Sequence, residues 1–477
     1  MPRKSGPSVR AEDRRAIGPM SRIPRWTRRA RGAAVASLVA VALTGCAQYR
    51  PRPLSGTATT AALRDPAHAA LVREAARLRM APLAPIHLDF RRPLSARELG
   101  VIAVLANPDL VTLRARERVA AAQVFAAGLL PNPIVTAEGL TPYGSRSAGR
   151  TTAYSGGFLW DLSQLFVRRA LLRGARESAR ATDFQVAWQE WGVANQARLL
   201  ATRLYWLERS RATADLAARA GRRNAQQILE AARAGALPAA ATTAAQALAL
   251  SAQTTAAAYD RQAQRIRVEL NELLGLGPDD RLHIAPPQPV PRTMPPPGML
   301  FRTAIHDRLD LVALRATYAA SESRLELAVL DQFPQIGIGL AAARNTSGVT
   351  SAGWQVSLTL PLNGNRGAIA VARANRAVLY HAYMARLAHD RSDIYRLRAL
   401  FTSVTAEIVR LRPQERSFEQ LRDAARRARV RGALDALQAL QMTLTSARAQ
   451  EQFNNLRMLR AESYIGLVVA SGTRWRE

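Results

Sequence analysis

The sequence predicts a mixed α and β membrane protein built from two structural repeats, each with a pair of β-strands and a hairpin of very long helices. Three observations predict it. Motifs recur in the same order: Asp109-Leu-Val-Thr-Leu-Arg-Ala115 returns as Asp310-Leu-Val-Ala-Leu-Arg-Ala316, Gly235-Ala-Leu237 as Gly432-Ala-Leu434, and Ala252-Gln253 as Ala449-Gln450, the last two at an offset of 197. One such match is chance; several in one order are a duplication. Only four segments alternate with a period of two. The helical stretches at 165–233 and 366–430 would each extend on the order of 100 Å at about 1.5 Å per residue.

The N-terminus reads as an address. A basic run from Arg22 to Arg31 precedes a short apolar run and then Leu43-Thr-Gly-Cys46. The apolar run is shorter than the ~20 residues that span a bilayer, so it reads as an export signal. The single cysteine of the chain stands where a bacterial lipobox places the residue that is cleaved to and acylated. Residues 1–45 are therefore the signal region, with the true start expected near residue 20, and Cys46 is the expected lipidation site. Residues 46–94, rich in Pro, Ala and Arg, are expected to be a lipid-anchored tether with irregular wrapping.

The first repeat covers 95–284. Ser95-Ala-Arg-Glu98 is a capping box. Asn107-Pro108 ends that helix and caps the next, with Pro at the first helical position. A strand pair at 133–162 follows, through Ile134–Gly139 and Ala153–Leu162, with Tyr154, Phe158 and Trp160 on one face. The helical hairpin at 165–275 turns at Gly235. Of the 20 residues from Ala239 to Ala258, 11 are Ala, which lets helices approach closely but builds no thick core. The Pro-rich linker at 285–299 can be neither helix nor central strand.

The second repeat covers 300–470. Its strand pair lies at 335–361. Trp354, Val356, Leu358 and Leu360 share one face of the last strand and Gln355, Ser357 and Thr359 the other, the pattern of a half-wet sheet. The hairpin at 366–470 contains Arg412-Pro413, which is expected to kink or break its first helix. Residues 471–477 are a tail.

Composition excludes several functions. One cysteine allows no intramolecular disulfide and no Cys-rich metal site. The six histidines are scattered and Lys4 is the only lysine. Walker, metalloprotease and nucleophile-elbow patterns are absent, so no enzyme, cofactor or metal is expected. The net charge of +31 comes almost wholly from arginines spread along the chain. Without a nucleic-acid-binding motif it reads as a solvated basic surface. Four strands cannot close a barrel, and lipid does not tolerate open edges. Three chains would supply twelve strands, which the helices continue into the periplasm.

The lipobox, Gly128-Leu-Leu-Pro-Asn-Pro133, Phe333-Pro-Gln-Ile-Gly-Ile-Gly339, the exit Leu360-Pro-Leu-Asn-Gly-Asn-Arg-Gly-Ala-Ile-Ala370 and the duplicated Arg-x-Gly-x-Leu-type turn resemble the TolC family of outer-membrane efflux factors, over essentially all of 95–470. The resemblance implies a homotrimer with a 12-stranded barrel continued by a periplasmic α-helical barrel. It implies a passive exit duct for drugs or metal ions in a tripartite system, with a periplasmic membrane-fusion adaptor and an inner-membrane pump as partners. Lipid would face Trp354, Val356, Leu358 and Leu360. The adaptor-facing tips would be Arg233, Gly235 and Leu237, and Arg431, Gly432 and Leu434. Many members carry acidic residues six and nine positions after the second turn glycine. Here Gln438 and Gln441 stand there, with Asp435 nearby but off register, so no cation-binding ring is expected at that constriction. The rival reading is a coiled-coil structural lipoprotein without channel activity.

Overall fold

The computed structural model describes residues 48–62, 66–77, 85–144, 149–430 and 436–472. Cys46 and the signal region, and Arg431, Gly432, Leu434 and Asp435 of the second turn, lie outside the described residues. Among the described residues, those through Ala62 belong to one unit and those from Pro66 to another. The first unit contains α1 (Gly56–Ala62), in which the Thr59 and Thr60 hydroxyls donate to the Gly56 carbonyl.

The larger unit begins with α2 (His68–Arg77). The stretch before residue 94 is not irregular throughout. Leu71 and Ala75 of α2, with Leu88 and Leu94 after it, are buried in the main core. The sequence reading missed α2 because ten residues carry only a short apolar stripe among Ala and Arg. Leu94 pairs in parallel with Ile284, its N–H donating to the His283 carbonyl at 2.8 Å. The start of the first repeat and its end are thus joined.

Helices α3 (Ala96–Ala106) and α4 (Pro108–Gly128) follow. Ser95 accepts from the Glu98 N–H while Glu98 accepts from the Ser95 N–H at 2.7 Å, the reciprocal cap its spacing predicts. Asn107 caps α4, accepting from the Asp109 and Leu110 N–H groups at 3.0 and 3.1 Å. Strands β1 (Ile134–Leu140) and β2 (Ala153–Asp161) lead into α5 (Ser163–Arg233, 71 residues) and α6 (Ala239–Leu273). The second repeat has α7 (Pro297–Asp307), α8 (Leu309–Leu330), β3 (Gln335–Arg344), β4 (Thr350–Thr359), α9 (Arg366–Val430, 65 residues) and α10 (Ala436–Ser471). At 7 residues β1 is shorter than the other strands, because Pro131 and Pro133 before it cannot donate to a ladder.

Helix α9 runs unbroken through Pro413. Proline removes one hydrogen bond and crowds the preceding turn. A 65-residue helix packed along α10 retains enough neighbouring turns and side-chain burial to hold the segment helical.

Two apolar cores sit beside the long helices. In the first, Leu99 and Ile102 of α3 meet Leu200, Leu204 and Leu207 of α5 and Ile266 and Leu270 of α6. In the second, Leu300 and Ala304 of α7 meet Ile394 and Phe401 of α9 and Leu467 of α10. Farther along, contact is made by small residues: Ala214, Ala217, Ala218, Ala252 and Ala256 around Leu440 and Leu444. The linker is bound by arginines, since prolines offer carbonyls without N–H groups. Arg460 donates to the Val290 and Pro291 carbonyls at 3.1 and 2.8 Å, and Arg398 to those of Met294 and Pro295.

Candidate functional site

The four strands form one antiparallel sheet in the order β1-β2-β3-β4. Its register aligns side chains into rows that cross all four strands. Val135 lies opposite Phe158, Phe158 opposite Leu340, and Leu340 opposite Trp354. The next row holds Trp160, Ile338 and Val356, and the one after it Ile336 and Leu358. Because side chains alternate across a strand, these rows share one face. The opposite face carries Thr136-Gly157-Ala341-Gly353 and Glu138-Ser155-Ala343-Ser351 as rows. Gly, Ala, Ser, Thr and Gln dominate it; Ile134, Leu140 and Leu159 are its large apolar members.

The exposure of the two faces inverts that of a water-soluble sheet. Trp354 is 79% exposed and Leu340 66%, while Gly337 and Gly339 on the other face are buried. The apolar face is open, and the small polar face is covered at its middle strands, β2 and β3. Gly339 packs so closely on β2 that a Cβ there would collide with the Phe158 carbonyl oxygen. Beyond the strands, the Thr151 N–H donates to the Thr346 carbonyl at 2.9 Å and joins the two hairpin loops.

The sheet passes directly into helices. One residue, Leu162, separates β2 from α5, and its N–H donates to the Ile336 carbonyl. Asn365, at φ 52, starts α9 and donates to the Ala328 carbonyl at the end of α8 at 2.9 Å. Below the strands α4 packs on α5, α5 on α8 and α8 on α9. The helices therefore keep the order of the strands they continue. Farther along, α6, α5, α10 and α9 are neighbours in that order. The outer strands β1 and β4 lie above the outer helices α4 and α9. Both outer helices expose apolar side chains: Val111, Val119 and Phe125 on α4, Val371, Val378 and Met384 on α9.

The predicted turn residues fall at the far end of the α5–α6 hairpin. Gly235 has φ 74; its N–H donates to the Ala232 carbonyl and that of Ala236 to the Ala231 carbonyl. This pair of bonds closes a helix with glycine in the left-handed region. Arg233 is exposed and Leu237 half-buried. On α10, Gln438 and Gln441 are exposed, while Leu440 and Leu444 are buried against α5 and α6. Trp354, Val356, Leu358 and Leu360 are all exposed, Leu360 standing just beyond β4.

Sequence reasoning missed a matched pair of latches. In the first repeat Asn107, between α3 and α4, donates to the Leu273 carbonyl at the end of α6 at 3.0 Å. In the second Arg308, between α7 and α8, donates to the Ala470 carbonyl near the end of α10 at 3.0 Å. Each closing helix then ends on a left-handed glycine, Gly275 (φ 63) or Gly472 (φ 64), packed against its latch segment. Arg308 is 3% exposed and bonds Asp310 at 2.7 Å and Asp390 at 3.0 Å, with its guanidinium over the Trp188 ring. Arg386 bridges the same two carboxylates. Burial pushes the Asp390 carboxyl up from its ordinary value, and Arg308 and Arg386 oppose the shift. The first repeat's counterpart is Glu190, also pushed up by burial and opposed by Arg114 at 2.8 Å. The signal was available: Arg308 stands two residues before the repeated Asp310-Leu-Val, where the first copy has Asn107 two residues before Asp109.

No family model and no curated protein matches the sequence. Solved structures do match its fold. The outer-membrane channel CmeC of Campylobacter jejuni superposes with a TM-score of 0.67 at 13% identity, covering 90% of this chain and 94% of that one. The outer-membrane protein VceC of Vibrio cholerae gives 0.64 at 18%, covering 79% and 96%. CusC, which forms a transmembrane channel, gives 0.65 at 16%, covering 79% and 91%. The chain has the fold of these outer-membrane channels.

Proposed function

We propose that this chain is an outer-membrane channel-tunnel of the TolC type, the passive exit duct of a tripartite efflux system, acting as a homotrimer. The observation that carries the reading is the inside-out sheet. Apolar rows cover one open face, small and polar residues the other, and both edges are unclosed. Three copies pair β1 of one with β4 of the next, giving twelve strands with lipid outside and water within. The helical layer has the same order and free edges, so the same symmetry lets α4 pack on α9 of the neighbour. Trp354, Val356, Leu358 and Leu360 then face lipid.

The remaining assignments rest on the resemblance of the motifs. Arg233, Gly235 and Leu237, with Arg431, Gly432 and Leu434, form tips that dock a periplasmic membrane-fusion adaptor bound to an inner-membrane pump. Gln438 and Gln441, with Asp435, line the constriction. The cargo is small molecules, drugs or metal ions. Cys46 is the acylated mature N-terminus in the outer membrane. Mass spectrometry of the mature N-terminal peptide is expected to find a lipid-modified Cys46; an intact peptide spanning Gly45-Cys46 in the membrane-purified protein contradicts the anchor.

The test of the whole reading is the oligomeric state. Native mass spectrometry of protein extracted from outer membranes is expected to give three copies, resistant to SDS. A folded, membrane-inserted monomer rules the duct out. A soluble oligomer that never partitions with membrane favours a coiled-coil structural role.

A further inference from the structure

The chain as a whole is strongly basic, yet its sheltered sheet face holds no Lys or Arg. Among β1–β4 the charged residues on that face are Glu138 and Asp161 alone. Asp161 is half-buried and accepts from the Ser163 N–H at 3.0 Å and from its hydroxyl. Glu138 is exposed, opposite Ser155 in a row that continues through Ala343 and Ser351. Arg344, at the end of β3, belongs to the apolar face, one residue out of that row. The positive charge is thus kept off the wet face of the sheet.

We propose that Glu138 is a specificity-determining residue of the strand segment, making its lumen favour cationic and neutral solutes over anions. The proposal rests on the duct reading, in which the sheltered face lines water. Each copy contributes one Glu138 at the same height. Apart from Asp161, the remaining wall residues are uncharged, so no fixed cation on the wall offsets the field. Salt sets its reach: the screening length is about 30 Å at 0.01 M and about 3 Å at 1 M. Low salt lets the carboxylates act across the row; high salt confines each to its own surroundings.

Thiol labelling tests both layers of the argument in the full-length protein in outer membranes. Ser155→Cys places a thiol opposite Glu138, and Val356→Cys places one on the apolar face. Each is treated with small cationic and anionic methanethiosulfonates, rates being referred to those of a free thiol. At about 0.01 M salt, Ser155→Cys is expected to favour the cationic reagent by on the order of tenfold, from one unit charge acting through water at about 6 Å. Adding Glu138→Gln, or raising the salt to about 1 M, is expected to remove most of that preference. Ser155→Cys reacting without charge preference, or preferring the anionic reagent, overturns the role of Glu138 and leaves the duct standing. Val356→Cys reacting while Ser155→Cys does not overturns the face assignment, and the duct with it.

Discussion

Leu358→Arg is expected to cut the yield of membrane-inserted protein, while Ser357→Arg, one residue away, leaves most of it. Leu358 is 54% exposed and lies opposite Ile336 on the apolar face; Ser357 lies opposite Gly337 on the sheltered one. An arginine facing hydrocarbon costs about 2–4 kcal/mol at mid-membrane and less toward an interface, and Leu358 stands one residue from the end of β4. If three copies share one barrel, that cost acts three times on one assembly. Arginine at 357 can keep its head in water. The measurement is the SDS-resistant oligomer recovered from outer membranes. Equal loss from both variants, or greater loss from Ser357→Arg, would reverse the two faces.

Arg308→Ala carries the other large effect. It leaves Asp390, 1% exposed, with Arg386 as its remaining guanidinium, and removes the donor to the Ala470 carbonyl. Breaking a buried ion pair from one side costs about 3–5 kcal/mol, because the other charge stays buried. Asp390→Asn in the same chain is expected to restore part of the loss. The dependence on pH has a definite sign. Burial raises the folded-state value of Asp390, so the folded chain keeps a proton that the unfolded chain has already released. The stability this group contributes is fully present below the ordinary carboxylate range and is lost as pH rises through the raised value. Removing Arg308 takes away an influence that lowers that value. The deficit of Arg308→Ala is therefore expected to be smaller at about pH 5 than at about pH 8, read by hydrogen exchange of the α9 amides around Asp390. A deficit that grows on acidification would contradict the electrostatic origin of the latch.

What could be read from the sequence followed from periodicity and punctuation. The alternation of Trp354, Val356, Leu358 and Leu360 is local, and β4 carries it. The Ser95–Glu98 box and the Asn107-Pro108 break are also local, and both cap helices as written. Gly235 needed only its turn. The residues that escaped act over long separations. Arg308 meets Asp390 and Ala470 through the packing of α9 and α10, and no spacing in the chain announces that. Leu71 and Ala75 look like parts of an Ala-rich tether until α5 and α6 supply the other side of their core. Pro413 does not break the helix: local rules weigh one lost hydrogen bond, whereas α9 packs along α10 beside it. That Glu138 shares a row with Ser155, Ala343 and Ser351 depends on the register between β1 and β2, which alternation alone cannot fix.

The shared order of strands and helices has a purely geometric consequence. Each strand of a tilted barrel occupies about 6 Å of circumference, from a spacing of about 4.8 Å and a tilt of roughly 40°. A packed helix occupies about 8–10 Å. Here four strands, β1 to β4, stand above four helices, α4, α5, α8 and α9, with Leu162 as the whole connection between β2 and α5. Any ring closed from such units, whatever their number, is about one and a half times wider just below the strands than within them. Its cross-section there is roughly doubled. Such a ring has a neck, and the neck is made of strands: in the duct proposed above, the width there is set by the face that carries Gly337, Gly339 and Ala341 on β3 and Ser351, Gly353 and Gln355 on β4.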